Sequence, residues 1–169
     1  MPQISIADSN RYEFVSRWEI PAPIERVWVE LMRPDDWPSW WRGMEKVELV
    51  QPGIDEMGHG ARRRYTWCSR LPYRLTFTME STLIKPYSRI EGHATGELEG
   101  DGCWQLSYDN GITHVRYDWN VAAKKKWMIW LAPIARPLFE WNHDILMEWG
   151  RKGLLKRVQS PLAHSPSKA

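Results

Sequence analysis

A chain of 169 residues that is 43% hydrophobic and 26% charged has the composition of one globular domain with enough residues for a full core. A net charge of +2 argues against nucleic acid or a strongly acidic partner, and the short basic runs at 62–64 and 124–126 read as solvated faces and loop ends. No apolar run reaches the roughly 18 residues of a membrane span. Cys68 and Cys103 have neither disulfide-framework nor metal spacing. The opening MPQISIADSN lacks the basic leader and apolar core of a secretory signal, so a reduced, cytoplasmic protein is expected. Twelve tryptophans are the unusual feature; each joins a large apolar body to one polar N–H, which suits a lined cavity, a large interface or a membrane-surface patch.

Polar ends at 1–10 and 159–169 are expected to flank a single domain at 11–158 as flexible segments. From 12 to 20 the chain alternates, with Phe14, Ser16, Trp18 and Ile20 on one face and Glu13, Arg17 and Glu19 on the other, as a strand does. Pro23 then suits the first turn of a helix, with Ile24, Val27, Trp28 and Leu31 at helical spacing and Pro34 as the stop. The stretch from Asp35 to Trp41 is too short and broken for more than one helical turn and a tight corner.

Six strand candidates follow, at 47–51, 61–69, 73–83, 89–98, 103–108 and 112–121. The loop at 53–60 carries three glycines and is expected to be mobile. In 73–83, Leu75, Phe77, Met79 and Leu83 face one way. Glu99-Gly100-Asp101-Gly102 reads as a turn, and Asp109-Asn110-Gly111 as a tight hairpin, because Asn-Gly suits positive φ. In the last strand Val115, Tyr117, Trp119 and Val121 oppose His114, Arg116, Asp118 and Asn120.

The closing stretch, 127–158, holds the longest element. Past Pro137 nothing interrupts a helix for about twenty residues. At 100° per residue, Glu140, Asp144, Glu148, Arg151 and Lys152 gather on one side, with Leu138, Phe139, Asn142, Leu146, Trp149, Gly150 and Gly153 opposite. Two glycines on an inner face imply close backbone approach or open space beside the helix. The order is strand, short helices, six antiparallel strands and a long helix that belongs on the concave face of a twisted sheet. Ile90, Gly92, Ala94, Gly96 and Leu98 point inward on one parity, and Trp67, Trp104, Tyr117 and Trp119 supply walls. That pattern describes either a lined cavity or a solid core of interlocking large and small residues.

Ile20-Pro21-Ala22-Pro23 with Val27-Trp28, then Pro34-Asp35, Trp37-Pro38 and Trp40-Trp41, resembles the START-like (SRPBCC) superfamily, whose helix-grip fold is that of the birch pollen allergen. Gly96-Glu97-Leu98, Gly102 with Trp104, and Trp141-Asn142-His143-Asp144 with Gly150 and Gly153 are similar to its bacterial polyketide cyclase/dehydrase and lipid transport branch. The resemblance spans about 12–158. It implies an α+β fold in which a seven-stranded curved antiparallel sheet wraps a long C-terminal helix over a hydrophobic ligand cavity. It implies no shared catalytic motif, since the superfamily includes lipid carriers, aromatase/cyclases, quinone-binding proteins and co-chaperones.

The expected cavity lining is Trp67, Phe77, Met79, Trp104, Tyr117, Trp119 and Asn142, with Tyr65, Phe139 and His143 beside them. Arg63 shares a face with Tyr65 and Trp67, at the cavity mouth, where it would meet a carboxylate or phenolate or lie over aromatic surface. Asn142, at the centre of the helix's inner face, needs a hydrogen bond from a strand residue, a water or a ligand's polar end. Among five histidines none has metal-ligand spacing, so no metal and no cofactor is expected. His143 alone lies near the cavity; a structural hydrogen bond is the first reading for it, and general acid or base work the second. No catalytic residue is assigned. Lys124, Lys125 and Lys126 beside Trp127 and Trp130 read either as the loop into a buried helix or as a transient membrane-surface contact. Function is expected to be binding, with possible transport, of a hydrophobic small molecule or lipid, such as a polyketide, isoprenoid or quinone. A polyketide cyclase/aromatase in the same cavity is the alternative, and a protein-interaction or membrane-surface module the third.

Overall fold

The computed structural model describes residues 10–160, with Pro133 by its backbone only. The expected flexible flanks therefore lie outside the described residues, except that Asn10 donates to the Ala123 carbonyl and Gln159 closes the last helix. Alternation of apolar and polar side chains produces β1 (Arg11–Ile20), β2 (Met44–Gln51), β3 (Arg62–Cys68), β4 (Arg74–Lys85), β5 (Arg89–Gly96), β6 (Leu98–Asp109) and β7 (Ile112–Ala123). Among the described residues these seven form one antiparallel sheet in the order β1-β7-β6-β5-β4-β3-β2. The helical spacing after Pro23 gives α1 (Ile24–Leu31), for which Pro23 is the N-cap residue rather than part of the first turn. A 3-10 turn (Pro34–Asp36) and the one-turn α2 (Trp37–Trp40) follow. The chain closes with α3 (Lys126–Gln159), so the helix-grip fold class is as expected.

Three local expectations differ from the structure, each for a physical reason. The first concerns Gly100 and Gly102, which lie inside β6 rather than in a turn. A Cβ on Gly100 would lie 2.0 Å from the Asn120 carbonyl oxygen, and one on Gly102 2.7 Å from the Tyr117 hydroxyl. Glycine there permits close approach to β7, and the reversal occurs earlier, where Gly96 has φ +113° and is exposed instead of pointing inward. The second is a register shift between Ser81 and Leu83 in β4, which turns Ile84 into the buried position expected of Leu83.

The third is the extent of α3, which begins at Lys126 and continues through both Pro133 and Pro137 for 34 residues. Neither proline nitrogen can donate a helical hydrogen bond. Packing offsets that loss: Met128 and Ala132 are buried, and Trp127 meets Tyr73 and Phe139 edge-on. Leu138, expected on the inner face, is 45% exposed, while Met147 and Leu154 are buried. The Asn-Gly hairpin forms as expected, with φ of 49° at Asn110 and 82° at Gly111.

The glycines of α3 mark close approach, not open space. A Cβ on Gly150 would sit 2.3 Å from the Trp41 indole, and one on Gly153 2.0 Å from the Trp40 carbonyl oxygen. Trp41 fills this gap and donates its indole N–H to the Leu146 carbonyl at 2.8 Å. The far end of α3 is tied to α1: Arg157 donates to the buried Glu30 carboxylate at 2.9 Å, and Arg26 donates to the carbonyls of Arg157 and Ser160. The C-terminal end of α3 is thus clamped against α1 and the Trp40–Trp41 corner, which leaves the space farther back to be filled or left open.

Candidate functional site

It is left open. Between the sheet and α3 lies a cavity of about 590 Å³, within the range of small-molecule sites. The inward faces of β3 to β7 supply its walls because period-two alternation puts Tyr65 and Trp67, Phe77 and Met79, Trp104, and Tyr117 and Trp119 on one side of adjacent strands. The rings form a continuous surface: Trp104 stacks on Tyr117 at 4.0 Å between centroids, Tyr117 on Trp119 at 5.8 Å and Tyr65 on Phe77 at 6.0 Å. Small Gly92 and Gly102 lie in this wall. From α3 come His143, Leu146 and Met147, and from the first half of the chain Trp28, Trp37 and Trp41.

Of the residues expected from sequence, Arg63, Tyr65, Trp67, Phe77, Met79, Trp104, Tyr117, Trp119 and His143 are brought together on this wall. Phe139 and Asn142 are not on it. Phe139 packs behind, edge-on to Tyr12, Tyr73 and Trp127. Asn142 is buried, and its Oδ1 has no hydrogen-bond partner among the described residues, so the expected bond to a strand residue is not made by that atom. Trp37, Trp41 and Met147 are lining residues that the sequence reading missed. Gly150 marks in the sequence the place where the Trp41 indole fits, but not which residue fills it.

At the mouth, Arg63 donates to Asp35 through Nε and Nη2 at 3.2 to 3.4 Å, so its charge is already matched. Glu56, Met57 and Gly58 of the glycine-bearing loop form another part of the rim. That loop is pinned where mobility was expected. Asp55 accepts from the backbone N–H groups of Gly58 and His59 and from His59 Nδ1, while His59 Nε2 accepts the Ile84 N–H at 3.1 Å.

Tyr65 and Tyr117 are the phenols of the aromatic wall. Burial pushes both phenols upward, and Tyr65 adds to the shift of Tyr117. Both therefore remain hydrogen-bond donors across the physiological range. His143 stacks flat on Phe14 at 3.9 Å between centroids. Burial lowers its pKa to about 4, only partly opposed by Asp144, so the ring is neutral at ordinary pH. The Asp144 carboxylate lies 3.7 Å from Nδ1, too far for a hydrogen bond, and Nδ1 has no hydrogen-bond partner among the described residues.

The lysine cluster is less free than its sequence implies. Lys124 pairs with Glu99 at 2.8 Å and Lys125 with Glu97 at 2.7 Å, while Lys126 opens α3. Beyond it, Trp127, Trp130, Ile134, Leu138 and Trp141 recur every three or four residues, all exposed, with Trp130 at 81% and Ile134 at 85%. Among the described residues no helix is long and apolar enough to cross a membrane.

No protein-family model matches the chain, and no curated protein matches it in sequence. Solved structures do match in shape. A protein of Thermus thermophilus is 20% identical, with 91% of this chain and 100% of that one covered at a TM-score of 0.68. The di-domain ARO/CYC protein BexL of the BE-7585A biosynthetic pathway is 14% identical over 90% of this chain at a TM-score of 0.72, and this chain spans about half (52%) of its length. A START superfamily protein of Mycobacterium smegmatis is 13% identical, with 87% and 97% covered and a TM-score of 0.70. The chain therefore has the helix-grip fold, and the resemblance read from its sequence holds at the level of that fold.

Proposed function

We propose that the chain binds a hydrophobic small molecule or lipid in the cavity between sheet and α3, and carries it without transforming it. The observation that carries this reading is the 590 Å³ space walled by stacked aromatic rings, in a chain otherwise packed tightly enough to need glycines beneath Trp40 and Trp41. Apolar surface of this kind gains free energy, about 25 cal/mol per Å², when a ligand removes it from water. Native mass spectrometry of protein purified from its own host tests the reading. A bound mass released by organic solvent is expected. Protein that carries only its own mass, and takes up nothing from a lipid extract of that host, contradicts it.

A polyketide cyclase/aromatase in the same cavity is the competing reading, supported by the shared fold with an ARO/CYC protein and by His143 on the wall. The way His143 is held speaks against it. A general base works best with a pKa near the operating pH, whereas this ring is pushed down to about 4 and its Nδ1 has no orienting hydrogen bond among the described residues. Turnover of a poly-β-keto substrate that His143→Gln abolishes while binding persists would replace the carrier reading with the cyclase reading.

The exposed row on α3 supports a second contact, with a membrane surface, where a carrier would collect or release its cargo. Three of its five side chains are tryptophan, the residue that favours the water–lipid boundary, and Lys126 sits at its end. Sedimentation with anionic lipid vesicles is expected to capture the protein, and Trp130→Ser with Ile134→Ser to reduce capture at least tenfold. Equal capture of both proteins, or a dimer in solution that the double substitution dissolves, would contradict it.

A further inference from the structure

The mouth of the cavity is bounded by Met32, Arg33 and Pro34 and by Glu56, Met57 and Gly58 of the loop at 53–60. That loop holds its own shape. Gly58 and His59 donate their backbone N–H groups to the Asp55 carboxylate, and Ile54 donates to the His59 carbonyl at 2.8 Å. Its attachment to the sheet is thinner. Gly60, where the loop ends, donates to the Ser81 carbonyl at 2.7 Å. Among the described residues, the stretch from Ile54 to His59 has one hydrogen bond to the sheet, and a side chain makes it: the Ile84 N–H donates to His59 Nε2 at 3.1 Å.

This tie fixes the tautomer of the ring. A backbone N–H only donates, so Nε2 offers a lone pair and the ring proton sits on Nδ1, 2.6 Å from the Asp55 carboxylate. The two contacts respond in opposite ways to a second proton. An imidazolium keeps and strengthens its contact with Asp55, but its Nε2–H would point at the Ile84 N–H, donor against donor. The ring then has to leave β4 while the turn around Asp55 stays intact. It leaves at an irregular place: the pairing of β4 with β5 shifts between Ser81 and Leu83, and Ile84 just beyond belongs to the cavity lining. The other charged groups along these elements are Glu56 in the loop, Glu80 and Lys85 on β4, Arg62 on β3, paired with Glu80, and Glu91 on β5, paired with Arg89; Arg33 lies on the other side of the mouth. None of them is a histidine, the residue whose charge ordinarily changes between about pH 5 and 8.

We propose that His59 is a proton-sensitive latch on the mouth of the cavity. Neutral, it fastens the loop at 53–60 to β4; protonated, it frees that loop from the sheet and speeds release of an apolar occupant. This rests on the reading of the cavity as a ligand site and adds how its mouth is controlled.

The latch is tested first without a ligand. Nitrogen-15 spectra of the His59 ring are expected to show the Nδ1–H tautomer at pH 7. On acidification to pH 5 the Ile84 amide should lose about tenfold of its hydrogen-exchange protection, the scale of one hydrogen bond, while Val115, buried in β7, keeps its own. Stopped-flow release of a neutral naphthylamine dye then reads the mouth. The parent should release it about tenfold faster at pH 5 than at pH 7. His59→Gln, whose amide oxygen can accept from Ile84 but takes no proton in this range, should release slowly at both; His59→Ala should release quickly at both. His143→Gln should keep the response of the parent. An Nε2–H ring at pH 7, unchanged Ile84 protection, or a pH response that survives in His59→Gln or vanishes in His143→Gln would each overturn the latch and leave the cavity reading standing. Failure of the dye to bind would overturn the cavity reading, and the amide measurement would still decide whether His59 ties the loop. Should His59→Ala fail to fold, the glutamine variant and the amide measurement decide.

Discussion

The two halves of α3 are one helix under two different constraints. From Asn142 onward it is gripped: Gly150 and Gly153 lie against Trp41 and Trp40, Leu154 is fully buried, and Arg157 reaches the buried Glu30. Before Asn142 it is held by Met128, Ala132 and Phe139 on one side and leaves Trp130 and Ile134 in water on the other. The first arrangement gives up helix propensity for fit, with glycine where alanine would be the better helix former. The second leaves apolar surface exposed that contributes nothing to the fold. The cavity lies where these regimes meet, beside His143, Leu146 and Met147. The gripped half is held against α1 and the Trp40–Trp41 corner, and the cavity opens beside its first turns.

The sharpest way to break this comparison is Gly153→Ala. Alanine is favoured in a helix by about 1 kcal/mol, but its Cβ would lie 2.0 Å from a backbone oxygen that cannot step aside. Overlap wins, and chemical denaturation is expected to show a loss of about 3 kcal/mol. An unchanged or raised stability would show that the grip is loose.

At the junction, His143 makes the stability depend on pH. Its folded pKa, about 4, lies below the value near 6.5 of the unfolded chain. Between those values the unfolded state binds more protons, so stability rises with pH through this window and is complete above about 6.5. Acidification from pH 7 to pH 5 should cost about 2 kcal/mol through this one group, and His143→Gln should flatten that slope. Parallel slopes for the two proteins would mean that the ring is not buried as described.

Smaller effects sharpen the contrast. Arg157→Ala removes one of two cations that meet the buried Glu30 carboxylate, Arg26 being the other at 3.5 Å, and is expected to cost about 1 to 2 kcal/mol in urea unfolding. Ile134→Ser, on the exposed half, should shift the same midpoint by no more than about 0.5 kcal/mol. A large loss there would mean that the exposed row supports the fold after all.

Much of this architecture is legible in the chain because it depends on period. The alternation in β1 and β7 places Trp18, Val115 and Trp119 inside, and Asn110-Gly111 places the last hairpin. The aromatic wall follows from the same parity. Glycine is harder to read, because the residue serves both turns and close approach. Gly100 and Gly102 read as a turn but make space for β7, and Gly150 and Gly153 make space for tryptophans that no local pattern connects to them. The length of α3 is hidden for a related reason. Proline disfavours a helix locally, and only tertiary contacts such as Trp127 on Tyr73 show what offsets it. Pairings across the fold, such as Arg63 with Asp35, leave no periodic trace.

The central claim, that the space between sheet and α3 exists to hold an apolar molecule, is tested most directly by filling it. Met79 lies on the wall and is only partly buried, so Met79→Trp would occupy the space from inside without adding charge. A neutral, environment-sensitive naphthylamine dye should bind the parent protein saturably at one site. It should lose that binding in Met79→Trp, whose circular dichroism and thermal unfolding remain those of a folded chain. Equal dye binding by the folded variant and the parent would place the apolar site elsewhere and contradict the account.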